Sequence, residues 1–140
     1  MRAEFFCDTN ILLYAASKAP EDRAKHDEAR RVLALPGVGF SVQVLQEFYV
    51  NATQKRALRL SHEEAVQILQ SLRGSPILPV TDDLVFAAID IKERFQISYW
   101  DAAIIGAAEA LGARELYSED MNDGQVYGSV RVVNPFKRSA

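Results

Sequence analysis

The chain has 140 residues, 49% apolar and 25% charged with 7 Gly and 5 Pro, so it can bury a core as one domain spanning 1–140 and does not have a disordered composition. A net charge of −3 and a pI near 5.4 exclude a global basic field that would draw in nucleic acid, leaving only a local basic patch or a bound cation to do so. One cysteine, Cys7, excludes an intramolecular disulfide and reads as a small core residue; no apolar run approaches the roughly 18 residues of a membrane span, and Glu4 argues against a signal peptide, so the expected location is cytoplasmic.

"AEFFCD" reads as a short buried strand, and "ILLYAAS" starts a helix behind it. After the polar break "SKAPED", residues 21–35 form a second helix with Ala24, Ala29, Val32 and Leu33 on one stripe, ended by Pro36-Gly37. "VGFSV" is a second strand. The helix expected from Val42 to about Ala57 carries a stripe of Val44, Leu45, Phe48, Tyr49 and Ala52. Ser61-His62-Glu63-Glu64 is a capping box that opens the next helix, which runs to Arg73. "ILPV" is a third strand, and Thr81-Asp82-Asp83 begins a helix to about Phe95. "ISYWDAAIIGAAEALGA" is a helix apolar on nearly every face and therefore buried between neighbours. "RELYS" is a fourth strand, "EDMNDG" a turn and "SVRVV" a fifth strand, ended by Asn134-Pro135. Strands alternating with helices specify an α/β fold with a five-stranded parallel sheet covered on both faces, in which ligands bind beyond the carboxyl ends of the strands.

That edge is where four acids should meet. Asp8 ends the first strand, and Glu47 lies about one turn into the helix leaving the second. Asp101 opens a helix of roughly 18 Å that leads directly into the fourth strand, so the chain runs down and back up, returning Asp120 to the level of Asp101. Four carboxylates repel one another unless some take up protons or a hard cation such as Mg²⁺ or Mn²⁺ sits among them; such an ion activates water for in-line attack on a phosphodiester. Taken singly, Asp8 reads as a helix cap, Asp101 as the third residue of a helix capped by Ser98, Asp120 as a turn residue and Glu47 as a solvated helix flank.

The remaining polar features point elsewhere. Asp82-Asp83 suits the first turn of a helix, His26 and His62 lack ligand spacing, and Gly37-Val-Gly39 precedes a strand and so is no phosphate loop. Gln54–Arg59 ("QKRALR") and Arg23-Ala24-Lys25-His26 are the best local candidates for a patch that follows phosphates.

Asp8-Thr9-Asn10, Glu47 in "LQEFY", Asp101 in "YWDAAI" and Asp120 in "SEDMNDG" occur in the order seen in the PIN-domain family, and over nearly its whole length the chain resembles that family's VapC-type toxin ribonucleases. The resemblance implies an α/β/α sandwich, Mg²⁺- or Mn²⁺-dependent endonucleolytic cleavage of RNA, homodimerisation, and inhibition by a small antitoxin that blocks the acidic groove. It implies that Asp8, Asp101 and Asp120 hold metal, that Glu47 binds metal or orients water, and that Asn10 and Ser118 position the carboxylates. The last motif departs from the common pattern, leaving either Asn122 or Asp123 to assist a second metal. Three other readings compete. A phospho-aspartate phosphotransferase of the haloacid-dehalogenase type needs a second acid where Asn10 stands, and a receiver domain needs a Lys soon after the last strand. A catalytically silent RNA- or protein-binding module has no chemical reason to keep a self-repelling cluster.

Overall fold

Phe5-Phe6-Cys7 has no polar face to offer solvent, and as strand β1 (Phe5–Cys7) it is buried throughout, in the middle of the sheet. In the computed structural model, which describes residues 1–137, β1 leads into α1 (Thr9–Ala16). A single 3₁₀ turn at Pro20–Asp22 precedes α2 (Arg23–Leu33). Strand β2 (Val38–Ser41) passes without a loop into α3 (Val42–Gln54), since Ser41 both ends the strand and caps the helix through its hydroxyl. Next come α4 (His62–Ser71), β3 (Ile77–Leu78), α5 (Asp82–Phe95), α6 (Tyr99–Ala110) and β4 (Glu115–Tyr117). The chain closes with β5 (Val126–Tyr127) and β6 (Val130–Val133). The Ser61–Glu64 capping box forms with both of its reciprocal hydrogen bonds.

The sheet order is β3-β2-β1-β4-β6-β5. Five strands are parallel, as expected, and β5 adds a sixth, antiparallel to β6. This sixth strand corrects the expected count, and its signal lies in Gly128-Ser129. A two-residue loop with Gly at a positive φ of 60° is a tight-hairpin turn, held here by Glu109 Oε2, which accepts from the Ser129 amide and hydroxyl. Some helices also end earlier than expected: α2 at Leu33 instead of Leu35, and α4 at Ser71, where a 3₁₀ turn over Leu72–Gly74 takes over. α3 stops at Gln54, followed by a 3₁₀ turn over Arg56–Leu58, and Tyr49 on its stripe is exposed. In α2, Ala24 is exposed too.

From β1 the chain builds outward to β2 and β3 on one side, then returns to place β4 and β6 on the other. The order therefore reverses between β1 and β4, and the strand ends splay into a crevice there. α6 runs beside α5 and reaches the sheet, its Ala102–Ala108 stretch wholly buried because small side chains let the helix approach closely. Phe6, Phe40, Phe48, Ile11, Leu12, Ile105 and Leu116 are fully buried, each stabilising the fold by roughly 1.5–3 kcal/mol, which makes the floor of the crevice rigid. Among the described residues no helix is long and apolar enough to cross a membrane.

Candidate active site

Asp8 closes β1 and caps α1, and both of its oxygens are engaged. Oδ1 accepts from the Thr9 amide at 2.8 Å, and Oδ2 accepts from the Ser118 hydroxyl at 2.8 Å. Only 7% of the residue is exposed. Burial, opposed by these two hydrogen bonds and reinforced by the negative charges of Glu47 and Asp120, pushes its carboxyl up to about 6. The cap reading and the site reading of Asp8 are therefore both correct: the cap fixes the side chain at the crevice floor.

Ser118 follows β4 and is completely buried. Besides donating to Asp8, its oxygen accepts from the Asp120 amide at 3.2 Å and from Asn10 Nδ2 at 3.4 Å. Asn10 Nδ2 also reaches Asp120 Oδ2 at 3.1 Å, while its Oδ1 accepts from the Glu119 amide at 3.2 Å. These bonds tie the β1–α1 junction to the loop after β4, two segments more than a hundred residues apart. Asn10 is thus occupied in positioning, which is at odds with any acid–base role on a phospho-aspartate. Ser118→Ala is expected to remove a charge-assisted hydrogen bond from a buried carboxylate, costing about 2 kcal/mol and lowering the melting midpoint by several degrees. A midpoint equal to that of the parent in calorimetry would show that Ser118 does not hold the junction together.

Glu47 is fixed from the neighbouring element. Thr9 Oγ1 donates to its Oε1 at 2.7 Å, and Gln43, one turn earlier on α3, approaches Oε2 at 3.5 Å. Thr9 is the residue that sequence reasoning missed. It stands inside the quoted Asp8-Thr9-Asn10 motif, and a hydroxyl between two site residues was the available signal. Asp101 sits in the first turn of α6, where Ser98 Oγ accepts from its amide at 3.1 Å. Its carboxyl is raised by partial burial and by Asp120 and Glu47, against the lowering effect of Ser98.

Asp8, Glu47, Asp101 and Asp120 all line one cavity of about 710 Å³. Its wall carries six carboxylates in all, the other two being Asp22 and Glu119, against two cations, Lys55 and Arg56. Glu119 is ion-paired with Lys25, which also lies over the Tyr14 ring, and Asp22 accepts from the Ser17 hydroxyl. Among the described residues none of the four expected acids has a cationic partner. Of the two basic segments, only Gln54–Arg59 brings free cations to the cavity, because Lys25 is engaged with Glu119.

Asn122 and Asp123 separate in space. Asn122 lines a smaller adjoining cavity with Asp101 and Asp120, and its amide donates to Gln125. Asp123 Oδ1 accepts from the Asn134 amide at 2.8 Å, tying the loop to the end of β6, and lines neither cavity. Asp82 and Asp83 also lie outside the main cavity, Asp82 accepting from the Asp83 amide in the first turn of α5. Cys7 is buried with its thiol pushed up by burial and by Asp8, as befits a core residue.

The donor set suits a hard cation in one respect and not in another. It is all oxygen, and each Asp8 oxygen, having accepted one hydrogen bond, keeps a lone pair. Yet among the described residues no three Asp, Glu, His or Cys side chains close into a ready-made cage. Mg²⁺ does not require one, since it retains several waters and binds through one or two carboxylates. The residues fit an open, largely hydrated divalent ion and do not fit a structural metal.

A mostly parallel sheet flanked by helices, with a carboxylate-walled crevice at its switch point, defines an α/β protein of PIN-like fold. A family model described as PIN domain matches residues 5–123, from β1 through the loop bearing Asp120, and the chain belongs to that family. No curated protein sequence matches it significantly. Among solved structures, a toxin–antitoxin complex from Klebsiella pneumoniae matches with a TM-score of 0.67 at 20% identity, over 93% of this chain and 96% of that one. VapC20 of Mycobacterium tuberculosis, described as a sarcin–ricin loop cleaving toxin, matches with a TM-score of 0.65 at 25% identity, over 83% and 91%. VapBC2 from Rickettsia felis, bound to a promoter DNA fragment, matches with a TM-score of 0.64 at 17% identity, over 91% and 96%.

Proposed function

We propose that the chain is a divalent-metal-dependent endoribonuclease, the toxin of a VapBC-type module, acting in the cytoplasm as a homodimer and silenced by a small antitoxin protein. The observation that supports this most is the convergence of Asp8, Glu47, Asp101 and Asp120 on one cavity in which carboxylates outnumber cations six to two and none of the four is ion-paired among the described residues. VapC20, at 25% identity, lends the substrate class.

Asp8, Asp101 and Asp120 would hold Mg²⁺ or Mn²⁺, with Glu47 beside them. When bound, the ion supplies Lewis acidity and the lowered water pKa that phosphodiester hydrolysis needs at neutral pH. Ser118 and the Thr9 amide hold the Asp8 carboxylate in one orientation. The Thr9 hydroxyl fixes Glu47 by Oε1, which leaves Oε2 the freer atom to take a proton from water. Lys55 and Arg56 meet phosphates flanking the scissile one, supplying locally the positive charge that the acidic chain lacks overall.

The experiment is to map new RNA 5′ and 3′ ends across total cellular RNA after brief expression, with Asp8→Asn as the control. Discrete ends are expected with the parent and none with the variant. Purified protein should cleave the same sites with Mg²⁺ or Mn²⁺ and stop when EDTA is added. Cleavage that survives EDTA, or identical ends from the variant, would sink the reading.

A further inference from the structure

Trp100 immediately precedes Asp101 in the first turn of α6, and the residue is 64% exposed on the wall of the carboxylate cavity. An exposed aromatic is unremarkable by itself; one beside a cluster of acids, in a cavity that also carries cations, has a chemical use. Tyr99, half-buried, meets the indole edge to face with centroids 5.1 Å apart and planes at 81°, which limits the ring's freedom to turn. The same cavity is lined by Lys55 and Arg56, in no ion pair among the described residues.

An exposed ring and free cations lining one groove are how proteins hold single-stranded nucleic acid: the bases stack on the ring and the cations follow the backbone. A duplex cannot use such a ring, because its base faces are already stacked within the helix. We propose that Trp100 is the platform on which an unpaired RNA base beside the scissile phosphate stacks, with the adjoining backbone tracked by Lys55 and Arg56. The inference rests on the ribonuclease reading above and narrows it to unpaired nucleotides.

Trp100 is the only tryptophan in the chain, so its fluorescence reports on this ring alone. In EDTA, a short mixed-sequence single-stranded RNA is expected to quench the parent saturably, and the same RNA annealed to its complement to quench it weakly. Trp100→Ala, with an unchanged melting midpoint, should weaken binding of the labelled single strand about tenfold, and Trp100→Phe by less. In Mg²⁺, Trp100→Ala should raise KM by a similar factor and leave kcat within about twofold, the pattern of lost uniform binding. Lys55→Ala should lower the salt slope of single-strand binding by about 0.7.

Equal quenching by duplex, or unchanged single-strand affinity in Trp100→Ala, overturns the platform, and cleavage by the same proteins once Mg²⁺ replaces EDTA leaves the nuclease reading standing. Emission that shifts with protein concentration and ignores RNA places a second copy over Trp100 and overturns it as well. Quenching with no cleavage in Mg²⁺ removes the scissile-phosphate half of the proposal together with the ribonuclease reading.

Discussion

Asp101→Asn is expected to fold like the parent and to cleave RNA at least about a hundredfold more slowly at saturating Mg²⁺. The lower bound follows from what outer-shell partners of metal ligands are worth, typically ten- to a hundredfold, which a direct ligand should exceed. Asp101 is the cleanest of the four acids for this test because the fold does not depend on its charge. Its backbone amide is capped by Ser98, which Asn leaves in place, and the side chain is only partly buried. The substitution forfeits a favourable anion in the first turn of α6, worth about 0.3–1 kcal/mol, and relieves repulsion from Asp120 and Glu47 of the opposite sign. Loss of cleavage with an unchanged melting midpoint therefore reports on chemistry. Full activity in the variant would leave Asp101 a helix-capping neighbour and remove the acid cluster as the site of reaction.

Much of this cavity is legible from the residues alone, because the rule that ligands bind at strand ends reduces the search to one edge. Asp101 and Asp120 could be placed together by length, since a helix of 12 residues feeding a strand returns the chain to its starting level. What the sequence does not announce is contact between segments far apart in the chain. Thr9 on Glu47 and Ser118 on Asp8 span 38 and 110 positions, and no periodicity encodes such pairs. Strand β5 was missed for another reason: a two-residue strand is too short to alternate, so only the Gly128-Ser129 turn that joins it to the expected β6 marks it. Tyr49 shows the limit of stripe reasoning. It lies one position past the buried Phe48, where the helix face turns to solvent, and its hydroxyl pairs with His62 instead of entering the core. Asp123 sits in the right motif yet serves the backbone at Asn134, a distinction that only the fold can make.

Asp8→Asn should stabilise the metal-free protein at pH 7.5 and lose that advantage near pH 4. The folded state holds the Asp8 proton to about 6, against an ordinary aspartate value near 3.8, so the native protein binds more protons than the unfolded chain between those limits. Stability contributed by this group therefore falls as pH rises through that window, and at neutral pH the ionised carboxylate burdens the fold by about 3 kcal/mol. The amide removes that burden but leaves the Ser118 hydroxyl without its anionic acceptor, which returns about 1–2 kcal/mol. The net gain is about 1–2 kcal/mol, or several degrees in a calorimetric scan in EDTA. Near pH 4 the parent's Asp8 is already largely protonated, so the two curves should meet or cross. Mg²⁺ should then invert the order at pH 7.5, raising the parent's midpoint by mass action far more than that of the variant. A variant that melts below the parent in EDTA at both pH values would mean that the buried carboxylate does not strain the apo fold, and the demand for a cation would disappear with it. The inversion by Mg²⁺ gives the repulsion among the acids its function: a site destabilised when empty returns that energy as affinity for the ion that neutralises it.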